Sequence, residues 1–259
     1  MEPREYLNSV DGFADNINLA RGIIEKRRKK IESIIEDERR GISNYPKPNH
    51  EVIKSTRDTI TAYYLNLIFA MYSAGYDIPS IRIEYERLIS VKYENWNAKT
   101  LNDFTYQDSE PNYGTDEYWE ILQILALGIL LDVNEKESAQ LMYIRDKVAT
   151  PDIILDFLCS YFDKRKVGFS QAIGDNYKGL AHFIRECTPE NAPTLMKTYL
   201  SKQWFKDYKR QGNMTTHKSI NIHRGYWSFE SGAIMKNLKA DDSILKGQQF
   251  YPYDMVNWQ

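Results

Sequence analysis

Phe13-Ala14-Asp15-Asn16-Ile17-Asn18-Leu19-Ala20-Arg21-Gly22-Ile23-Ile24-Glu25-Lys26-Arg27-Arg28-Lys29-Lys30-Ile31-Glu32-Ser33-Ile34-Ile35-Glu36 carries Phe13, Ile17, Ala20, Ile24, Ile31 and Ile35 at three-, four- and seven-residue steps. Residues so spaced share one face of an α-helix, so the stretch predicts a long amphipathic helix with its Arg and Lys side chains outward. Gly41 and the Pro46-Lys47-Pro48 segment stop it. A second stripe, Ile60, Tyr63, Tyr64, Leu67, Ile68 and Met71, ends at Gly75, which adopts a left-handed cap at little steric cost. A third begins after Pro79 and presents Ile81, Tyr85, Leu88 and Ile89. Helices in series with short connections predict an antiparallel bundle.

From about Tyr93 to Tyr118 the periodicity lapses into Asn, Asp, Ser, Gly and Pro, the composition of a domain junction or a long functional loop. The predicted organisation is an N-terminal helical domain over 1–100, an acidic loop over 101–117 and a C-terminal helical domain over 118–259. Beyond the loop, helix-start signals recur: Thr115 before Asp116-Glu117, Asn134 with Glu137 as a capping box, Thr150-Pro151-Asp152, and Thr188-Pro189-Glu190. Stripes such as Ile154, Phe157, Leu158, Tyr161 and Phe162, or Leu195, Met196, Tyr199 and Leu200, follow them. No segment alternates as a strand would, and the predicted fold is all-α, a multi-helix, bundle-like protein of two domains.

A chain of 259 residues, 42% hydrophobic and 27% charged, is long enough to bury two ordinary cores. Cys159 and Cys187 make neither a CxxC nor a zinc-ligand pattern, which fits a reducing compartment better than a disulfide scaffold. Met1-Glu2-Pro3-Arg4-Glu5 lacks the character of a secretory signal, and Gln123 interrupts the longest apolar run, Ile121 to Leu131. The formal net charge of −2 argues against a protein that coats nucleic acid.

Charge is unevenly spread. No Lys or Arg occurs between Thr100 and Glu135, where Asp103, Asp108, Glu110, Asp116, Glu117, Glu120, Asp132 and Glu135 are acidic. Lys197, Lys202, Lys206, Lys209, Arg210, Lys218 and Arg224 face only Asp207 in their own span. An acidic loop steers a basic partner toward it and repels free DNA; the bland reading makes it a solvated loop whose Asp116-Glu117 pair complements a helix N-terminus. His217 and His223, six residues apart in a polar segment, read as surface residues rather than metal ligands, and His182 as a packing residue. Ser228 and Ser231 lack a strand-to-helix elbow, and GxGxxG, Walker and HExxH patterns are missing. The expectation is a protein that is not an enzyme and uses no metal and no cofactor. Among 19 Tyr, 10 Phe and 5 Trp, Trp227 and Phe229 read as core, and Tyr106 and Tyr113, inside the acidic loop, as interface.

Near the C-terminus, Gly225-Tyr226-Trp227-Ser228-Phe229-Glu230-Ser231-Gly232-Ala233-Ile234-Met235-Lys236-Asn237-Leu238 is followed by Asp241-Asp242-Ser243 and Tyr251-Pro252-Tyr253-Asp254. Phe229, Ala233, Ile234 and Leu238 recur at helical spacing, and Asp241 or Asp242 is placed to cap a short helix. The string resembles the C-terminal signature of the PoNi family, immunity partners of polymorphic DNase toxins. Tyr177-Lys178-Gly179-Leu180, Tyr199-Leu200, Trp204-Phe205, the Tyr118–Leu131 helix and Met71-Tyr72-Ser73-Ala74-Gly75-Tyr76-Asp77-Ile78 resemble further family landmarks, in order. Ser231-Gly232 departs from the small apolar residues expected after Glu230 and predicts a looser helix there.

The resemblance implies a cytoplasmic immunity protein that neutralises a DNase toxin delivered by a secretion system in interbacterial competition, with a toxin protein as its partner. The expected toxin-binding residues are Asp103, Tyr106, Asp108, Glu110, Tyr113, Asp116 and Glu117. The signature residues Tyr226, Trp227, Phe229, Glu230, Asp241, Asp242, Tyr253 and Asp254 are expected to be mostly structural. The alternative is a helical nucleic-acid-binding or regulatory protein that uses the basic stretch from Lys197 to Arg224.

Overall fold

In the computed structural model the described residues are 2–97, 115–147, 151–163, 167, 177–210, 216–218 and 222–258. Among them the structure is helical, without strands, as the periodicity predicts. They group into two compact units, one spanning 1–109 with 216–225, the other 110–215 with 226–259.

The first unit holds α1 (Val10–Arg39), α2 (Asn49–Ser73) and α3 (Ile78–Asn97). Ser9 opens α1 by accepting the Gly12 amide at 3.0 Å on its hydroxyl. The helix buries Phe13, Ile17, Ala20, Ile24 and Ile34. Alternating steps of three and four residues thus continue through half-buried Arg27 and Ile31 to Ile34, a heptad seam, while Ile35 is only half-buried. The predicted stripe drifted at its end by taking a four-residue step where the seam takes three. Residues 21 and 24 of α1 sit beside 64 and 67 of α2, and 28 and 31 beside 57 and 60, so the two helices run antiparallel. The α3 residues 84 and 87 join the first group and 90, 91 and 94 the second, so α3 runs antiparallel to α2 as well.

Gly75, at φ 88°, ends α2 in a Schellman motif: its amide bonds the Tyr72 carbonyl at 3.1 Å and the Tyr76 amide bonds the Met71 carbonyl at 3.0 Å. Gly41, at φ 71°, ends α1 in the same way. Asp77 starts α3 by accepting the Ser80 amide at 2.8 Å and the Ser80 hydroxyl at 2.9 Å, bonds that hold its carboxyl below the usual range.

The second unit is centred on α4 (Thr115–Leu130) and α10 (Phe229–Leu238), which pack together, with α6 (Ile153–Asp163) against both. Around them lie α5 (Glu135–Lys147), α7 (Lys178–Glu186), α8 (Ala192–Tyr199), a π-helical turn (Leu200–Trp204), α9 (Phe205–Arg210) and α11 (Tyr253–Val256). The Asn134–Glu137 capping box forms: the Glu137 amide bonds Asn134 Oδ1 at 3.0 Å and the Asn134 amide bonds Glu137 Oε2 at 2.9 Å. Asp152 caps α6, accepting the amides of Ile154 and Leu155 at 2.9 Å each. That helix buries Ile154, Leu155, Leu158 and Cys159, whereas Tyr161 is 37% exposed, so its core face is rotated from the predicted one. Leu195 likewise lies outside the core that Met196, Tyr199 and Leu200 enter.

Among the described residues no helix is long and apolar enough to cross a membrane.

Candidate functional site

Of the expected toxin-binding residues, Asp103, Tyr106, Asp108, Glu110 and Tyr113 lie outside the described residues, as does the Asp116 side chain. Glu117 is half-buried in the first turns of α4. The structure speaks instead to the sequence hallmarks, which form one buried junction in each unit.

In the first unit the junction is the C-terminal end of α2. A helix end leaves carbonyls without intrahelical partners, and here other segments supply the donors. Arg4 gives its backbone amide to the Ser73 carbonyl at 2.8 Å and its guanidinium to the carbonyls of Tyr72 at 3.1 Å and Tyr76 at 2.9 Å. The same guanidinium stacks 4.7 Å from the centre of the Tyr72 ring. Ser73 Oγ lies 2.8 Å from the Arg224 carbonyl, and the Arg224 guanidinium pairs with Asn66 and covers the Phe69 ring. Tyr72, Ser73, Gly75 and Asp77 of the hallmark therefore each do a separate job: ring platform, bridge, cap and helix start.

His223 belongs to this junction and is fully buried, contrary to its reading as a surface residue. Its Nε2 sits 3.0 Å from Glu5 Oε1, its ring 6.3 Å from that of Phe13, and its carbonyl accepts from the side chains of Asn8 and Asn16. These contacts cross some two hundred residues of chain, beyond the reach of local patterning. His217 is half-buried, and His182, expected to pack, is exposed. No cluster of three or more His, Cys, Asp or Glu side chains fit to hold a metal occurs among the described residues.

In the second unit the junction is Glu230, 1% exposed. Its Oε1 accepts from the Trp204 indole at 2.6 Å and the Ser228 hydroxyl at 2.9 Å, and its Oε2 from the Gln123 amide at 3.1 Å. Burial pushes the carboxyl above the usual glutamate range, against the pull of these donors. Trp204 reaches it through the π-helical turn, whose hydrogen bonds span five residues and so let Tyr199, Leu200 and Trp204 all face inward. Tyr177 and Tyr199 are buried nearby; burial first, then the charge of Glu230, raises both phenols well above their ordinary value. Asp207, wholly buried, accepts from Gln203 at 2.8 Å and Tyr199 at 3.3 Å.

Aromatic rings brace the junction: Trp204 lies 4.5 Å from Phe250 and 5.1 Å from Tyr208, and Tyr226 packs edge-on to Phe205 at 5.2 Å. Tyr226, Trp227, Phe229 and Asp242 are buried, Tyr253 is half-buried, and Asp241 and Asp254 are exposed. Asp241 accepts the Ser243 amide at 3.0 Å at the start of a short 3-10 turn, and Asp242 accepts the Tyr251 hydroxyl at 2.8 Å. At Ser231-Gly232, where a looser helix is expected, α10 is closely packed. The two hydroxyls of Ser228 and Ser231 are 2.6 Å apart, and a Cβ on Gly232 would stand 2.7 Å from Pro252 Cγ and 2.9 Å from Val256 Cγ2.

A helical protein of two units, each closed around a buried polar junction made from its hallmark residues, is the class that fold and site define. The chain belongs to the PoNe immunity protein (PoNi) family: residues 4–143 match the family's N-terminal domain and residues 150–255 its C-terminal domain. By family it is an immunity protein. The crystal structure of protein PA2201 from Pseudomonas aeruginosa is similar in fold, with a TM-score of 0.62 at 16% identity over 100% of this chain and 98% of the other. No curated protein matches the sequence.

Proposed function

We propose that this chain binds a cognate PoNe toxin, a DNase by the family resemblance, and thereby protects the cell that makes both. The paired match over residues 4–143 and 150–255 carries this reading. The surface we assign to the contact is the acidic loop at 101–117, between domains at 1–100 and 118–259, with Asp103, Tyr106, Asp108, Glu110, Tyr113, Asp116 and Glu117 as its contact residues. A cleft that binds DNA must be cationic, because phosphates dominate that affinity. A loop with acids and tyrosines and no cation complements it, speeds encounter and supplies aromatic anchors, while repelling the substrate. The mechanism is stoichiometric occlusion in the cytoplasm, where a toxin delivered by a neighbour's secretion system would meet its target.

Joint replacement of Asp103, Asp108, Glu110, Asp116 and Glu117 by Asn or Gln tests this. Charge pairs desolvated in a complex are worth roughly 2–5 kcal/mol each when truncated, whereas surface changes alter folding by about 0.5 kcal/mol. The expected outcome is a folded helical protein that binds the toxin poorly and fails to protect. Trp227→Ala, at a residue 8% exposed, should lose protection differently, by unfolding, since large-to-small aromatic changes cost about 3–5 kcal/mol. Unchanged toxin affinity in the five-fold variant would falsify the assignment of the loop.

A further inference from the structure

The first unit carries a groove that neither its hallmark residues nor the acidic loop explains. Its walls are α1 and α3 and its floor is α2. It comprises two hollows, of about 420 and about 260 Å³, with Arg28 lining both. The base of the groove is apolar: Ile24 of α1 and Ile60 and Leu67 of α2 are each at most 5% exposed.

The larger hollow has an uneven charge balance. Arg21, Arg28 and Arg87 line it together with Glu84, a carboxylate only 7% exposed. Glu84 spends one oxygen on Arg21 at 3.5 Å and the other on Arg87 at 3.1 Å. Glu25, the other acid of the lining, pairs with Lys29 at 3.3 Å. Arg28 is left with a phenol: its Nη2 donates to Tyr64 Oη at 2.9 Å, and among the described residues no carboxylate pairs with it. Tyr64 is 3% exposed, and burial raises its phenol above the ordinary value, so its hydroxyl keeps a proton to donate. A guanidinium and a phenol O–H, side by side over an apolar floor, form a receptor for one planar anionic group.

We propose that this groove is a second contact surface for the toxin and that it receives an acidic side chain of the toxin on Arg28 and Tyr64. A protein carboxylate fits better than a nucleic-acid backbone, because Glu25, Glu32 and Glu94 also line the groove. A chain of phosphates would have to pass these acids, whereas a single carboxylate flanked by apolar residues would not. The proposal rests on the immunity reading and extends it: the acidic loop would meet the toxin's basic cleft, and the groove a separate acidic point on the same toxin. A contact at each of two separate points fixes orientation as well as affinity, with Arg28 as the guanidinium of the groove that no carboxylate of the described residues pairs with.

The test uses the full chain and a catalytically inactive cognate PoNe toxin as probe, with affinity and thermal melting measured for the wild type, Arg28→Gln and Arg21→Gln/Arg28→Gln. The expected result is unchanged melting within a degree or so for Arg28→Gln and an affinity loss of about 30-fold or more. Inorganic phosphate at matched ionic strength should weaken toxin binding by the wild type more than that by Arg28→Gln, since its competition at the toxin's basic cleft is common to both. Wild-type affinity in both variants would overturn the groove while leaving the immunity reading standing. Phosphate that stabilises the wild type but not Arg28→Gln, with toxin affinity equal in the two, would make the groove a small-anion site and overturn the proposal as well. A wild type that does not bind the toxin at all overturns both readings together.

Discussion

Glu230 is the residue at which sequence, burial and chemistry meet most closely. A carboxylate that is 1% exposed persists only with donors around it, and Trp204, Ser228 and Gln123 supply them. Glu230→Ala strands those three donors, each at about 1–3 kcal/mol, so several kcal/mol of stability should vanish in a denaturant melt. Glu230→Gln should behave differently. Its carbonyl still accepts from Trp204 and Ser228, and the new amide finds an acceptor if Gln123 turns over, because Gln123 Oε1 is buried without a partner. The pH response separates the variants further. Burial raises the folded-state pKa of Glu230 above the ordinary 4.5, so the folded protein holds this proton longer than the unfolded chain. The stabilisation from it is full below pH 4.5 and is lost as pH rises through the folded value. Wild-type stability minus that of Glu230→Gln should therefore fall with rising pH across that window; a flat difference would show that Glu230 ionises as freely in the fold as outside it. The signature string holds Glu230 and Ser228, and Trp204 is a landmark of its own, but nothing local joins them or adds Gln123. Gln123 reads in sequence as an interruption of an apolar run and Asp207 as a lone acid among cations, because hydrogen bonds between distant residues leave no local period.

Elements were legible where their determinants are local. The Asn134–Glu137 box and the left-handed end at Gly75 follow from residue type and spacing, and both are present; Gly41, read as a stop, proves to be a left-handed end as well. Phase was less legible: α1 buries Ile34 ahead of Ile35, and α6 turns Leu155 and Cys159 inward, because the position of the partner decides which edge of an apolar stripe is covered. The π-helical turn at Leu200–Trp204 leaves no local period in the sequence, and the carboxylate its Trp204 reaches lies 26 residues away. Gly232 and Gly22 show how packing decides the sign of one substitution. Alanine is the better helix former by about 1 kcal/mol. At Gly22 nothing lies within 4 Å of the added Cβ, so Gly22→Ala should stabilise by up to that amount. At Gly232 the Cβ meets Pro252 and Val256 at 2.7 and 2.9 Å, and overpacking of about 1–3 kcal/mol should outweigh the propensity gain. Thermal melts of the two variants should move in opposite directions, and a stabilised Gly232→Ala would mean that the approach of α11 to α10 is loose.

At the scale of the whole molecule, what the chain order hides is that residues 216–225 belong with the first unit although they follow most of the second. That placement bears on the nucleic-acid alternative. Seven cations between Lys197 and Arg224 look like one basic stretch in sequence, but Lys218 and Arg224 fall in the first unit and Lys197, Lys202, Lys206, Lys209 and Arg210 in the second. Arg224 is also spent internally, on Asn66 and the Phe69 ring. Lys197, Lys202, Lys206 and Lys209 are exposed, and the last three recur at the spacing of one solvated helix face. These four lysines and Arg210 neutralise at most about five phosphates, so log affinity for duplex DNA should fall with log salt at a slope of about −4 to −5. The net charge of −2 and the cation-free run from Thr100 to Glu135 oppose even that much. Binding of duplex DNA at physiological salt should therefore be micromolar or weaker and indifferent to sequence. A gel shift at sub-micromolar protein in that salt, abolished by Lys202→Gln/Lys206→Gln/Lys209→Gln, would instead make the lysine face a nucleic-acid site. The expected contrast is sharp because salt acts on the two partners differently: the DNA contact rests on counterion release alone, whereas a toxin contact with tyrosines and desolvated pairs keeps most of its affinity when surface charges are screened.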